Sequence, residues 1–520
     1  LEWSASENNY NWGYDPQNYF ALTGMYSEDP ANPSKRIEEF KNLVNEIHKR
    51  GKGVILDVVY NHTAQVHIFE DLEPNYYHFM KADGTPKESF GGGRLGTTHK
   101  MARRVLVDSI KYLVDEYKVD GFRFDMMGDH DAASIEEAYN AAKALNPNIL
   151  MLGEGWVTYE GDDGLPEQPA DQTWMQLTDS VASFSDEIRN ELKSGFGSEG
   201  QPRFLTNGAR NLELIFNNII GRPSNFKADD PGDVIQYIAA HDNLPLFDVL
   251  AQSIKKDPKD HSDEILRRVR LGNSIILTSQ GTPFIHSGQE YGRTKQYLHP
   301  DYRTTVSDDL IPNKATYMVD ADGNPFEYPY FIHDSYDSSD AINRFDWEKA
   351  TNAEKYAENV LTHNYTRGLI AIRRSTDAFS HDLASEIDEY VSLITVPNTD
   401  PNARVEANDL IIGYQAKASN GDIYAVFINA DDKERTVNFG EVFKHLADAK
   451  VIADAKQAGT SVIETPEGVV LDKDSITLDG LTTAILLIKK AEEIPGQEEE
   501  APGQDGEAPG QEEAPGQDGE

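Results

Sequence analysis

Val119-Asp-Gly-Phe-Arg-Phe-Asp125 decides the fold. It is a short, mostly apolar run that follows a stretch of helical period, residues 101–117, and it ends on a carboxylate. Apolar residues in sequence rather than in alternation indicate a strand covered on both faces, the habit of parallel sheets wrapped in helices. The same unit stands on either side. Upstream, residues 35–50 put Ile37, Phe40, Leu43, Val44 and Ile47 on one helical face before the strand Gly53-Val-Ile-Leu-Asp-Val-Val59. Downstream, a helix over 132–145 leads to the strand Ile149-Leu-Met-Leu-Gly153. Further short strands are expected near 181–186, 234–240 and 282–287. Strand and helix in repetition predict an α/β chain with the parallel sheet of a (β/α)8 TIM barrel.

Near residue 385 the pattern changes. Tyr390–Val396, Leu410–Tyr414, Asp422–Asn429 and Ser475–Ile488 alternate as antiparallel strands do, and predict an all-β sandwich to about 490. Pro-Gly-Gln then recurs from 495, 502, 509 and 515 among Glu and Asp. With Pro and Gly in every repeat and almost nothing apolar, this reads as a disordered acidic spacer, not a coiled coil. The expected division is a partial catalytic barrel at 1–380, the C-terminal sandwich at 385–490 and the spacer at 491–520.

The 520 residues carry a formal net charge of −41, and 11 of the negative charges, with no Lys or Arg, sit in the last 30 residues. The remainder is still strongly acidic and repels phosphate backbones, which argues against a nucleic-acid partner; a neutral polymer is not repelled. Cysteine is absent, which excludes disulfides, thiolate metal sites and thiol catalysis. No run of eighteen apolar residues is present, so no transmembrane segment is expected. Leu1 is not a natural start, so the lack of a leader pattern says nothing about export.

Three acidic residues end expected strands: Asp125, Glu154 and Asp242. In a parallel barrel the strand C-termini gather at one face, where the chemistry sits. Retaining glycoside hydrolysis needs two carboxyls about 5–5.5 Å apart in different protonation states. Residues closing adjacent strands are naturally about that far apart. Arg123 shares a strand face with Asp125 and is expected to lower its pKa, keeping it ionised. Glu154, beside Trp156 and with no basic neighbour in sequence, is expected to have a raised pKa, as a general acid requires. Asp242, between His241 and Asn243, suits gripping sugar hydroxyls better than proton transfer. Each of these carboxylates could alone be a helix cap; their joint occurrence on three strands argues otherwise.

These segments resemble the α-amylase superfamily, glycoside hydrolase family 13. Asp57-Val-Val-Tyr-Asn-His62, Gly121-Phe-Arg-Phe-Asp125, Gly153-Glu-Gly-Trp156 and Ala240-His-Asp-Asn243 look like its four signatures, in order. Tyr10-Asn-Trp-Gly-Tyr-Asp-Pro16 resembles the heptapeptide of type I pullulanases, with Asp15 where Asn is usual. The resemblance is to a Gram-positive cell-surface enzyme of that type. It implies Asp125 as nucleophile, Glu154 as proton donor and Asp242 as transition-state stabiliser. Arg123, His62 and His241 would line subsite −1, and Asp57 would anchor Arg123. Tyr14 would stack on the sugar in that subsite, and Trp156 would serve the acceptor side. Ala341-Ile-Asn-Arg-Phe-Asp-Trp347 looks like the segment that offers Asn343 and Arg344 to subsite −1. His286 is expected to be structural.

The implied reaction is retaining endohydrolysis of α-1,6-glucosidic bonds in pullulan, amylopectin or glycogen. The alternatives are another superfamily enzyme (isoamylase, branching enzyme or α-amylase) or a glycan-binding surface adhesin. No cofactor is required by resemblance. Structural calcium is common in the superfamily, but its ligands are not assigned here, and no metal-binding residue is singled out. Asp257–Asp263 and Asp334–Asp340 read as solvated acidic loops. An extracellular or cell-surface location follows from the resemblance, with wall attachment beyond the spacer. Counting by the family's pattern, the strand with Asp57 is the third, so the first two barrel strands are expected outside this chain. An open sheet with two edges is then expected, unstable or inactive when expressed alone.

Overall fold

Asn32 starts helix α1 (Pro33–His48): its side-chain oxygen accepts from the backbone N–H groups of Ser34 and Lys35, while Pro33 fills the first turn. The computed structural model describes residues 11–396 and 405–490. Tyr10 of the heptapeptide and the spacer at 491–520 lie outside the described residues.

From α1 the chain alternates through β1 (Ile55–Val58), α2 (Lys100–Tyr117), β2 (Gly121–Phe124), α3 (Ala132–Leu145) and β3 (Leu150–Gly153). It continues through β4 (Ala182–Phe184), α4 (Asp186–Leu192), α5 (Leu212–Ile219), β5 (Val234–Gln236), α6 (Leu246–Ile254), α7 (Pro258–Thr278) and β6 (Thr282–Pro283). The six strands pair in parallel, each with the next in sequence, from β1 to β6. That singly wound order is the barrel order expected from sequence. The sheet is open, with β1 and β6 as its edges. Ile55 on β1 is accordingly 44% exposed, unlike the fully buried strand read from the sequence.

The strands are shorter than expected. β5 stops at Gln236 and β6 at Pro283. Asp242 therefore sits in the loop after β5, not at a strand end. A hairpin, β7 (Ala315–Val319) with β8 (Pro325–Ile332), and helix α8 (Ala357–Arg374) follow.

The C-terminal part is an antiparallel sandwich. One sheet orders β9 (Val391–Leu393), β10 (Ile411–Lys417), β11 (Ile423–Asn429), β16 (Thr482–Ile488) and β13 (Lys450–Ala453). The other orders β12 (Arg435–Asn438), β15 (Ser475–Leu478) and β14 (Val469–Leu471). The single expected strand 475–488 is two strands, and β12, β13 and β14 were not read from the sequence.

Two apolar clusters hold these parts. Phe122, Phe124, Ile110 and Ile135 pack beneath β2 between its helices. Leu271, Ile275 and Leu369 of α7 and α8 join Tyr414, Val426 and Ile485 of the sandwich in one core. Thr278 Oγ1 and the Tyr414 hydroxyl, 2.5 Å apart, close that seam. Each fully buried Phe or Leu contributes about 1.5–3 kcal/mol.

Neither acidic stretch is a solvated loop. Asp257 caps α7 by accepting from Lys259 N at 2.9 Å, and the following residues form the first turns of that helix. Asp337 pairs with Lys314 at 3.1 Å, and Asp334 lines the cleft described next.

Candidate active site

Register places the first two carboxylates. In the β2–β3 pair, Phe124 faces Gly153. Asp125 and Glu154 are the next residues, and the ladder continues through Glu154 N to Phe124 O at 3.1 Å. In the β1–β2 pair, Asp57 lies directly opposite Arg123. Three strands therefore deliver three carboxylates to one guanidinium. Arg123 Nη1 donates to Asp57 Oδ1 at 2.8 Å and to Asp125 Oδ1 at 3.2 Å. Its Nη2 lies 3.0 Å from Glu154 Oε1. One planar group touching both Asp125 and Glu154 keeps them within a single sugar's reach.

The loops behind them are tightly fitted. Met126 takes a left-handed backbone (φ 42°) directly after Asp125 and donates its N–H to Glu154 Oε2 at 3.0 Å. A side chain at Gly153 would meet Met127 Sδ at 2.6 Å, and one at Gly155 would meet Ser183 Oγ at 2.5 Å. Both glycines of Gly153-Glu-Gly155 are thus required by packing. Strained backbone of this kind concentrates at functional sites.

A cavity of about 920 Å³ opens above these residues, within the usual range for small-molecule sites. It gathers Tyr14, His62, Asp125, Glu154, Trp156, His241 and Asp242. Arg123 lies on the adjoining cavity, inside the open sheet, which shares Glu154 and Asp242 with the first. The Tyr14 hydroxyl donates to Asp57 Oδ2 at 2.5 Å, and its ring stacks on His241 with centroids 5.2 Å apart. His62 Nε2 is 2.8 Å from Tyr14 O and its Nδ1 is 2.9 Å from Asn61 Nδ2. Trp12 of the heptapeptide packs edge-on against His241 and lines the cleft. His286 is buried outside both cavities.

The charges behave differently from the expectation. Burial, reinforced by the Glu154 charge, pushes the Asp125 carboxyl up to about 7 against the pull of Arg123. The expected lowering fails because one cation is shared among three carboxylates and water is excluded. Burial opposes the charge on Arg123, yet Glu154, Asp57 and Asp125 together hold it above its ordinary value. Glu154, read as lacking a basic neighbour, has Arg123 against it, brought from the adjacent strand. Burial also lowers His241 to about 4, so it is neutral at pH 7. Asp242 is raised, chiefly by desolvation, although 52% of its side chain stays open to the cleft. The neutral His241 ring is close to it, with Nε2 3.7 Å from Asp242 Oδ1.

Lys295 holds the Asp242 loop. Its Nζ donates to the backbone carbonyls of His241 at 3.0 Å and Asn243 at 3.1 Å, one on each side of Asp242. Asn243 is left-handed (φ 63°), and Lys295 is 1% exposed. Lys295 Nζ also lies 5.2 Å from the centre of the Trp12 ring.

Asn343 and Arg344 do not reach the cleft. The Asn343 amide bonds Ser335 Oγ, Ser335 O and Ser338 O, fixing the turn that follows Asp334. Arg344 is exposed and lies 3.8 Å from Asp346. Asp334 and Tyr336, from the turn that Asn343 holds, line the cleft in their place. Phe90, Phe196 and Lys295 were also missed. Only the aromatic side chains left unpaired in loops could have pointed to the first two. Among the described residues, no group of three or more His, Asp or Glu could hold a metal ion, and no helix is long and apolar enough to cross a membrane.

Comparisons with known proteins cover nearly the whole chain. Residues 390–489 match the family described as SpuA C-terminal. The chain is 65% identical over 491 residues to Pullulanase A of Streptococcus pneumoniae, covering 94% of this chain and 38% of that protein. It superposes with a TM-score of 0.92, at 64% identity, on the inhibitor-bound catalytic module of the multi-modular glycogen-degrading pneumococcal virulence factor SpuA, covering 94% of this chain and 69% of that one. GBS pullulanase SAP in complex with maltotetraose gives a TM-score of 0.90 at 62% identity, over 94% of this chain and 62% of that one. The chain thus spans well under half the length of the curated relative it matches.

Proposed function

The chain belongs to the type I pullulanases of glycoside hydrolase family 13, and on that premise we propose that it carries out retaining endohydrolysis of α-1,6-glucosidic bonds in pullulan, amylopectin and glycogen. One observation carries the reading: Asp125 and Glu154 follow paired residues of adjacent strands and meet on the Arg123 guanidinium. Glu154 protonates the glycosidic oxygen while the Asp125 carboxylate attacks C1 and the C1–O bond breaks. Water then attacks C1 of the glycosyl ester, gives a proton to Glu154 and frees Asp125, with configuration retained. Asp242 accepts hydrogen bonds from hydroxyls of the same sugar, strongest as charge develops at C1. Substrate entering between Arg123 and Glu154 loosens their contact and leaves Arg123 to Asp57 and Asp125. Neutral His241 donates to a sugar oxygen without adding charge, His62 spends its one N–H on Tyr14 O and holds the Tyr14 backbone at the cleft, and Tyr14 and Trp156 offer ring faces to the apolar faces of glucose.

Enzymes of this family need no organic cofactor. Structural calcium, common in the superfamily, has no ligands assigned here. The divisions 1–380, 385–490 and 491–520 remain part of the proposal, the second supported by the family match at 390–489. A location outside the cell, at its surface, fits the cysteine-free, strongly acidic composition and the acidic repeats at the end of the sequence. The glycogen-degrading description of the pneumococcal relative supports an α-glucan substrate.

The test is product analysis. The complete protein should convert pullulan to maltotriose alone; panose as product, or no cleavage, overturns the reading. Asp125→Asn and Glu154→Gln should each lower pullulan hydrolysis at least about a thousandfold while α-glucan binding survives.

A further inference from the structure

The wall of the cleft beside His62 carries a feature that the catalytic groups do not explain. Glu88–Ser89 and Gly92–Gly93 pair as a minimal antiparallel hairpin, with Ser89 opposite Gly92. Its two-residue turn is Phe90-Gly91, and both residues have positive φ, 47° and 93°. Two-residue hairpin turns of this hand take Asn-Gly or Gly-Gly, because positive φ is costly for a bulky side chain. The Phe90 ring enters no apolar core in return. It is 70% exposed and belongs to none of the apolar clusters of the described residues. Its nearest ring is His62, with centroids 5.9 Å apart, and it lines the cavity above Asp125 and Glu154.

The hairpin is also anchored. A side chain at Gly92 would lie 1.4 Å from Thr63 O, and one at Gly93 would lie 2.4 Å from the His78 ring. Thr63 N donates to Gly93 O at 3.3 Å, directly after His62. The tip therefore cannot drift from the His62 wall. A local rule is broken twice, in backbone and in exposure, with only the tilted contact to His62 in return; such positions are where function is found.

We propose that Phe90 is a substrate-binding platform, stacking on the apolar face of the glucose unit next to the one held over Asp125, on the His62 side of the cleft. The proposal rests on the reading of the chain as an α-glucan hydrolase. The ligand supplies the missing contact: the ring is desolvated only when a sugar covers it. Rigid placement of the ring before binding spares the ordering cost that a flexible side chain would bring.

The experiment replaces Phe90 by Asn, the residue that the turn prefers, and by Trp, in the complete protein. Phe90→Asn should leave the protein as stable or raise its Tm by about 1–3 °C, because the turn relaxes. The same change should raise KM for pullulan about tenfold with kcat much less affected. In an Asp125→Asn background it should weaken maltotetraose binding by calorimetry about tenfold. Phe90→Trp should restore both. Unchanged KM and unchanged maltotetraose affinity in Phe90→Asn overturn the proposal. A lowered Tm with unchanged affinity does so as well, since the ring is then a packing element. Failure of the unmodified protein to cleave pullulan strikes the underlying reading instead, and the calorimetry judges Phe90 without any turnover.

Discussion

Arg123 Nη2 lies 3.0 Å from Glu154 Oε1, one strand away from its own. The contact makes Arg123 the common partner of Asp57, Asp125 and Glu154, and it ties the sheet's ion pairing to its chemistry. A lysine offers one ammonium in place of a planar fork and cannot span three carboxylates. Arg123→Lys should therefore reduce kcat/KM on pullulan at least about a hundredfold and lower Tm. Near-normal activity would show that the fork is dispensable.

The elevated pKa of Asp125 arises first from burial and next from the Glu154 charge. Removing that charge must lower it. Glu154→Gln cannot protonate a leaving group, but α-maltotriosyl fluoride needs no acid. On that substrate the acid limb of the kcat/KM profile should lie at lower pH in Glu154→Gln than in the parent. A limb that stays in place, or moves upward, would show that the two carboxylates do not interact.

A carboxyl with a folded-state pKa of about 7 against an ordinary 3.8 costs stability once ionised. The cost is absent well below pH 4, grows as pH rises toward 7 and is complete above it. Asp125→Asn should consequently raise Tm at pH 8, with the gain shrinking as pH falls toward 4. Melting curves of both proteins across that range check the sign. A gain that is independent of pH would assign it to packing.

Lys295 spans the two carbonyls that flank Asp242. Lys295→Met keeps the buried stem but frees the loop, so Asp242 loses its fixed position. A tenfold or greater fall in kcat, with a smaller change in maltotriose affinity, is the expected outcome. Lys295→Arg should recover part of it. Equal losses in kcat and affinity, with no recovery, would reduce Lys295 to a folding role.

Much of the site was readable before any coordinates. Asp125 and Glu154, with Arg123 beside them, were expected together because strand C-termini converge, Asp57 was expected there by resemblance, and the β1–β2 and β2–β3 registers bring the four together. Asp242 was expected at a strand end and lies in a loop that a buried lysine 53 residues later holds in place. Asn343 failed for a related reason. Its type and position fitted a cleft residue, but its amide is consumed by Ser335 and Ser338, and the turn offers Asp334 to the cavity instead. Phe90 escaped because an exposed aromatic in a glycine-rich loop has no periodic signature.

The order of strand and helix, the change to antiparallel strands near 385 and the residues at the ends of β2 and β3 follow from the residue order alone. Those features are local: side-chain period and turn chemistry are written within ten or so residues. Folding in three dimensions was needed to show that Asp125 is raised and not lowered, that Arg123 serves Glu154 as well, and which polar loops face the cavity. Ionisation depends on burial and on every charge within several ångströms, and those charges come from strands up to 97 residues apart in the chain.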